Sequence, residues 1–140
     1  HWQSVSGLGP DRLVLSQCDA DSSVYCDGDQ LEEILQAVFA NALEATDPAA
    51  RRIQINSPSR ASDETVRIVV EDNGVGMTPE VLEHCLDPFF SSRPAGRGRG
   101  LGLSRAYRLA EINGGSLWLE SNPQLGTTVT IELPVRAPHP

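Results

Sequence analysis

Along positions 29 to 45 the apolar side chains fall at Leu31, Ile34, Leu35, Val38, Ala42 and Ala45. Steps of three and four put them on one face of an α-helix. Asp29 is placed to cap that helix, with Glu32 three residues on as in a capping box, and Pro48 ends it near Thr46 or Asp47. Arg12 to Ser16 alternates as a short strand, and Val24 to Cys26 reads as a second strand paired with it. Arg52 to Asn56 and Val66 to Glu71 also alternate, and the polar SPSRASDET stretch between them reads as a hairpin-like loop joining antiparallel strands. Thr78 followed by Pro79 opens a short helix to about Cys85, since Thr caps well and Pro suits the first helical position. A second long helix is predicted from Leu101 to Ile112, stopping at Asn113-Gly114-Gly115, where left-handed backbone is easy. Leu117 to Ser121 and Thr127 to Leu133 close the chain as strands around a Pro/Gly turn. Helices and strands interleave, so the class is mixed α/β.

The 140 residues suit a single domain, with its core at about 27–134 and frayed ends at about 1–10 and 137–140. A formal charge of −8 disfavours broad adhesion to nucleic acid or anionic lipid. The apolar runs are far shorter than the roughly 20 residues that span a bilayer, and HWQSVSGLGPDR has no leader pattern, so the expected location is cytoplasmic. Cys18, Cys26 and Cys85 lack zinc spacing and are expected reduced, a Cys18–Cys26 disulfide across neighbouring strands being the minor reading. Every basic side chain is Arg, and five of the eleven lie between Arg93 and Arg108, leaving 6 − 19 = −13 for the rest. An anionic ligand therefore needs that local positive stretch.

Three segments carry chemistry. Asn41 follows Ile34 by seven residues and points almost along the apolar stripe. Its amide oxygen is the kind of hard donor that magnesium accepts alongside water and phosphate; a buried Asn satisfied by backbone is the plainer alternative. In EDNGVGM a strand ends in Asp72, which when ionised can only accept, so it asks for a donor such as an exocyclic amino group. Gly74 and Gly76 would then clear a path for a flat ring, although a polar turn after a strand accounts for the same letters. GRGRGLGLS has glycines at 96, 98, 100 and 102 and leads into a helix, where free amides and the helix dipole favour phosphate. Arg93, Arg97, Arg99 and Arg105 add charge nearby, and the plainer alternative is a solvated loop. The segment between Asp87 and Gly100, about fourteen residues, is long enough to suggest a use and is expected to move.

Joined in order, these segments resemble the ATP-binding catalytic domain of sensor histidine kinases, within the superfamily that includes DNA gyrase, the heat-shock chaperone ATPase and mismatch-repair ATPases. LEEILQAVFANALEA resembles the N box, which implies that Asn41 is the magnesium ligand and the catalytic position. EDNGVGM resembles the first glycine box, implying Asp72 on the adenine amino group with Gly74 and Gly76 close to the ring. DPFFSSR resembles the F box, so Phe89 and Phe90 would anchor the hinge of a lid, with Arg93 in place of the usual Lys. GRGLGLS resembles the second glycine box, so Gly98, Arg99, Gly100, Leu101, Gly102 and Leu103 would line the phosphates. GTTVTIELP resembles the closing strand, with Thr127 at the adenine edge through water. The implied fold is a two-layer α/β sandwich of the Bergerat type, an α+β arrangement whose mixed sheet of about five strands carries about three helices on one face. ATP with Mg2+ is the implied cofactor set, and the NALEA form is similar to nitrogen-regulation-type kinases.

Hydrolytic members of the superfamily carry a Glu four residues before the metal-binding Asn; here that position is Ala37, which has no base. Transfer to a protein nucleophile is the expectation, and Ala37 also weighs against the alternative of an anti-sigma-factor-type serine kinase. A third alternative is a non-catalytic nucleotide-sensing module. His84 in EHCLDP and the terminal His1 and His139 do not resemble phosphoacceptors. The partners implied are a histidine-bearing dimerisation domain of the same parent protein and a response regulator, with no nucleic acid and no direct membrane contact. The chain would then be a piece whose dimerisation helices precede His1, or a module acting on a partner. Glu44 departs from the Lys of many relatives, and Arg99 from the usual small residue.

Overall fold

A computed structural model describes residues 13–15, 24–88 and 102–135. Its elements run β1 (Leu13–Leu15), α1 (Gly28–Ala45), β2 (Ile53–Arg60), β3 (Thr65–Asp72), α2 (Pro79–His84), α3 (Gly102–Ile112), β4 (Ser116–Asn122) and β5 (Gly126–Pro134). The strands form one sheet of order β1-β2-β3-β5-β4. β1 and β2 are parallel and the other neighbours antiparallel, so the sheet is mixed.

Register explains where the core sits. Ile55, Val70, Val129 and Leu119 face each other across four strands, as do Ile68, Ile131 and Leu117 across three, and these rows form the apolar face. Ile34, Leu35, Val38, Phe39 and Ala42 of α1 and Leu103, Ala106, Leu109 and Ala110 of α3 cover it in one buried cluster. Each large side chain buried in this way stabilises the fold by about 1.5–3 kcal/mol. The opposite face is polar: Arg67 of β3 donates from Nε and Nη2 to Glu132 of β5 at 3.2 and 2.9 Å, and its guanidinium lies 5.5 Å from the ring centre of Trp118 on β4. Among the described residues this is a two-layer α/β sandwich.

The helices run antiparallel and are tied at one end. The Asn113 side chain, just past α3, accepts from the Asp27 amide at 3.0 Å and donates to Gln30 at 2.7 Å and to the Leu109 carbonyl at 2.8 Å. Arg105 of α3 is paired with Glu33 of α1. Gly114, at φ 82, then turns the chain into β4.

Several expectations are corrected. The cap of α1 is Asp27, whose carboxylate accepts from the Gln30 amide at 2.9 Å, and Asp29 lies inside the first turn. Val24 to Cys26 is not a strand; the Tyr25 amide bonds the Pro134 carbonyl at 2.7 Å at the end of β5, and β1 takes β2 as its partner. β2 and β3 extend through most of the polar stretch read as a loop, leaving only 61–64 as the turn. The irregularity between Asn56 and Ser59 accommodates Pro58, which has no amide hydrogen and lies beyond the part of β2 that β1 covers. Thr78 and Pro79 open α2 as expected, the Thr78 hydroxyl accepting from the Val81 amide at 3.2 Å.

Candidate functional site

At one end of the sheet the core-facing row changes character. Ile53, Asp72, Thr127 and Ser121 lie opposite one another across β2, β3, β5 and β4, so three neighbouring strands each end in a polar side chain on the helix-covered side. Asp72 Oδ1 accepts from the Gly74 amide at 2.8 Å and the Thr127 amide at 3.3 Å. Among the described residues no donor reaches Oδ2. Burial raises the Asp72 pKa above the usual Asp value, and the two amides pull against that rise. The Ser121 hydroxyl meets three groups at once: the Met77 amide at 2.8 Å, the Gly126 carbonyl at 3.0 Å and the Thr127 hydroxyl at 2.8 Å.

The loop after Asp72 is held by the protein itself. A Cβ on Gly74 would lie 2.4 Å from the Ala45 carbonyl oxygen, and one on Gly76, at φ +70, would lie 1.9 Å from that of Asn122. The volume these glycines release is thus filled by backbone, which corrects the expectation that it stays clear for a flat ring. Asn73 pins the start of the loop, donating to the Ala50 carbonyl and accepting from the Arg52 amide, both at 2.8 Å.

Helix α1 joins this loop to the start of α3. Ala37, Asn41 and Ala45 are spaced by four residues and share one face of α1. At one end the Ala45 carbonyl accepts from the Val75 amide at 2.9 Å. At the other, Ala37 lies 4.0 Å from where Gly102, the first residue of α3, would carry a Cβ. Half-buried Asn41 stands midway on this ridge, which is about 12 Å long at 1.5 Å per residue. Arg51 finishes α1, donating to the Thr46 hydroxyl at 2.7 Å and to the Leu43 carbonyl at 2.9 Å.

Residues 26–137 match the family of histidine kinase-, DNA gyrase B- and HSP90-like ATPases. The chain belongs to that family. Sensor protein FixL of Bradyrhizobium diazoefficiens is 34% identical over 111 residues, covering 79% of this chain and 22% of that protein. Sporulation kinase B of Bacillus subtilis is 32% identical over 126 residues, covering 90% of this chain and 28% of that one, so the chain spans about a quarter of the length of these two relatives. The solved catalytic domain of histidine kinase ThkA, in a nucleotide-free form, superposes with a TM-score of 0.71 at 27% identity, covering 88% of this chain and 80% of that one. Within its family this is an ATP-binding catalytic domain of the histidine kinase kind.

Of the residues anticipated for nucleotide contact in this ATPase-family domain, Asp72, Gly74, Gly76 and Thr127 come together at the polar end of the sheet, and Asn41, Gly102 and Leu103 lie along α1 and the start of α3. Phe89, Phe90, Arg93, Gly98, Arg99, Gly100 and Leu101 lie outside the described residues. Arg105, counted with the positive stretch, is engaged with Glu33. Glu44 is exposed. Buried Leu103 packs in the core. Cys26 and Cys85 are free thiols whose pKa values are raised, first by burial. Ser121 and Arg51 were not anticipated. Ser121 was legible in principle, because Ser121 and Thr127 flank the NPQLG turn symmetrically and a hairpin sets them opposite each other.

Proposed function

We propose that this domain binds ATP with Mg2+ and transfers the terminal phosphoryl group to a histidine on a separate dimerisation domain of its parent protein, from which a response regulator takes it. What supports the reading above all is Asn41, set midway between the Asp72 loop and the start of α3. Asp72 Oδ2 accepts the exocyclic amino group of adenine, and Thr127 borders the same edge. The phosphates lie toward Gly102, where the first amides of α3 and its dipole favour negative charge, and Gly98 and Gly100 precede it in the sequence as further phosphate contacts of the same proposal. Arg93 and Arg99 add positive charge from the same stretch, and Phe89 and Phe90 flank it.

The Asn41 amide oxygen suits magnesium, and among the described residues no group of three or more His, Cys, Asp or Glu forms a protein cage. That fits an ion held by one side chain together with phosphates and water. When bound, magnesium neutralises charge across the phosphates. The work left to the chain is positioning. Ala37 supplies no base to activate water or a serine hydroxyl. A neutral imidazole carries its own lone pair: it forms the new N–P bond as the bond to the bridging oxygen of ADP breaks, and its ring proton leaves afterwards. The missing base is therefore tolerable for a histidine acceptor and costly for hydrolysis or a serine acceptor. No helix among the described residues is long and apolar enough to cross a membrane, and a cytoplasmic setting, where ATP is plentiful, belongs to the same proposal.

The test mixes the chain with an isolated helical domain bearing a phosphoacceptor histidine and γ-labelled ATP. Acid-labile label on the acceptor supports the reading, acid-stable label on serine supports a serine kinase, and no label with intact ATP binding supports a nucleotide-sensing module. Asn41→Ala should lose transfer while retaining most of its ADP affinity.

A further inference from the structure

The polar row contains a residue with no place in the mechanism so far. Ser121 sits on β4, one strand beyond Thr127, and its hydroxyl has three neighbours with fixed or constrained roles. The Met77 amide at 2.8 Å can only donate to it, and the Gly126 carbonyl at 3.0 Å can only accept from it. A hydroxyl has one proton. Once that proton goes to Gly126, the 2.8 Å contact with Thr127 is satisfied only if the Thr127 hydroxyl donates to Ser121. Thr127 is buried, 3% exposed, so its Oγ1 cannot trade this bond for bulk water at little cost. It is left with lone pairs alone to offer a ligand. Next to it on β3, Asp72 Oδ2 is also an acceptor.

We propose that Ser121 is a positioning residue for base recognition: by holding the Thr127 proton it keeps Thr127 an acceptor, so the purine N1 is reached through a water that donates to both. Adenine N1 is itself an acceptor and cannot bond Thr127 directly in this arrangement. A water with one proton on N1 and the other on Thr127 Oγ1 closes the chain, while the exocyclic amino group donates to Asp72. Every donor then has an acceptor. Without Ser121 the Thr127 hydroxyl is free to rotate, and the water loses its fixed acceptor.

This inference rests on the nucleotide reading above, and the experiment separates the two. ADP and 1-deazaadenosine diphosphate, which lacks N1, are titrated calorimetrically into the 140-residue chain and its variants. Wild type should lose about three- to tenfold in affinity when N1 is removed, one hydrogen-bonded link. Ser121→Ala should bind ADP weaker by a similar factor and then show less than about a twofold further loss on the deaza analogue. Ser121→Thr, which keeps a hydroxyl, should restore the sensitivity to N1. A purely structural Ser121 would weaken both ligands in parallel, and equal N1 sensitivity in wild type and Ser121→Ala overturns the proposal while ADP binding itself leaves the nucleotide reading standing. If Ser121→Ala does not fold, Ser121→Cys carries the same comparison with the thiol as a weak substitute. Failure of wild type to bind ADP overturns both readings.

Discussion

Replacing Asp72 by Asn changes one atom and separates recognition from folding. The carboxylate divides its oxygens: Oδ1 takes the Gly74 and Thr127 amides at 2.8 and 3.3 Å, and Oδ2 is left for the adenine amino group. Asn has one acceptor for these two duties. With its oxygen toward the amides it presents NH2 to the ligand's NH2; flipped, it turns that NH2 against two backbone donors. Either orientation loses a charge-assisted hydrogen bond and leaves at least one donor unpaired. At about 1.5 kcal/mol for a hydrogen bond to a charged group and about 1 kcal/mol for a donor left unpaired, low values because the carboxylate is only half-buried, the cost is about 2–3 kcal/mol, or roughly 30- to 150-fold in affinity. The ligand-free fold should not share the loss, since the amide orientation preserves both backbone bonds. Burial raises the Asp72 pKa in the folded state, so the charged carboxylate opposes folding, and wild-type stability declines as pH rises from the usual Asp range through the folded pKa. Asp72→Asn lacks that decline and should unfold at the same temperature as wild type, or higher, near neutral pH, the difference closing in acid. Calorimetric titration with ADP and thermal unfolding without it measure the two quantities. An ADP affinity within twofold of wild type, or a loss of affinity matched by a loss of ligand-free stability, would refute the reasoning.

Arg51→Met keeps the aliphatic stem but removes the bonds to Thr46 and Leu43, and should lower stability by about 1–3 kcal/mol in urea unfolding with little change in ADP affinity. Gly76→Ala would push a methyl group to 1.9 Å from the Asn122 carbonyl at a positive φ, costing about 3 kcal/mol or more, whereas Gly28→Ala meets nothing within 4 Å at the first position of α1 and should gain about 0.5–1 kcal/mol; thermal unfolding of the two variants measures the contrast. The His84 pKa is raised above 6.5, first by its hydrogen bond to Asp87 at 2.9 Å, so the pair's small stabilisation is complete below the ordinary His range and fades as pH climbs through the folded value. An NMR titration should find the midpoint above 6.5 and moved down in Asp87→Asn.

The elements that carry the core were legible because burial on one side imposes a period. Ile34, Leu35 and Val38 announce α1, and Val66, Ile68 and Val70 announce β3, without any knowledge of their partners. The second half of β2 was not, because residues 57–60 extend past the strand that covers 53–55, and loop-like composition outweighed the alternation there. The choice between Asp27 and Asp29 as cap was equally hidden, since the Asp27 amide is held by Asn113, far away in sequence. At the site, the residue types at Asn41 and Asp72 were readable from motif and chemistry. The reason for Gly74 and Gly76 was not: sequence cannot tell a glycine that admits a ligand from one that admits the chain's own carbonyl, and only packing against Ala45 and Asn122 distinguishes them. Arg105 was assigned to a charged neighbourhood by position, and the interhelical register gave it to Glu33.

The Asn113 clasp also bears on the order in which the chain assembles. The first helix borrows a side-chain acceptor and a side-chain donor from a residue 86 positions after Asp27, and the third strand waits for the fifth before its far edge is paired. During synthesis the first helix therefore emerges with its start unclasped until position 113 is available, and its apolar stripe has only β2 and β3 to cover until α3 follows. Closing so long a loop slows nucleation, so a chain truncated before Asn113 is expected to be cleaved faster than the full 140 residues, a difference that limited proteolysis of the two would measure.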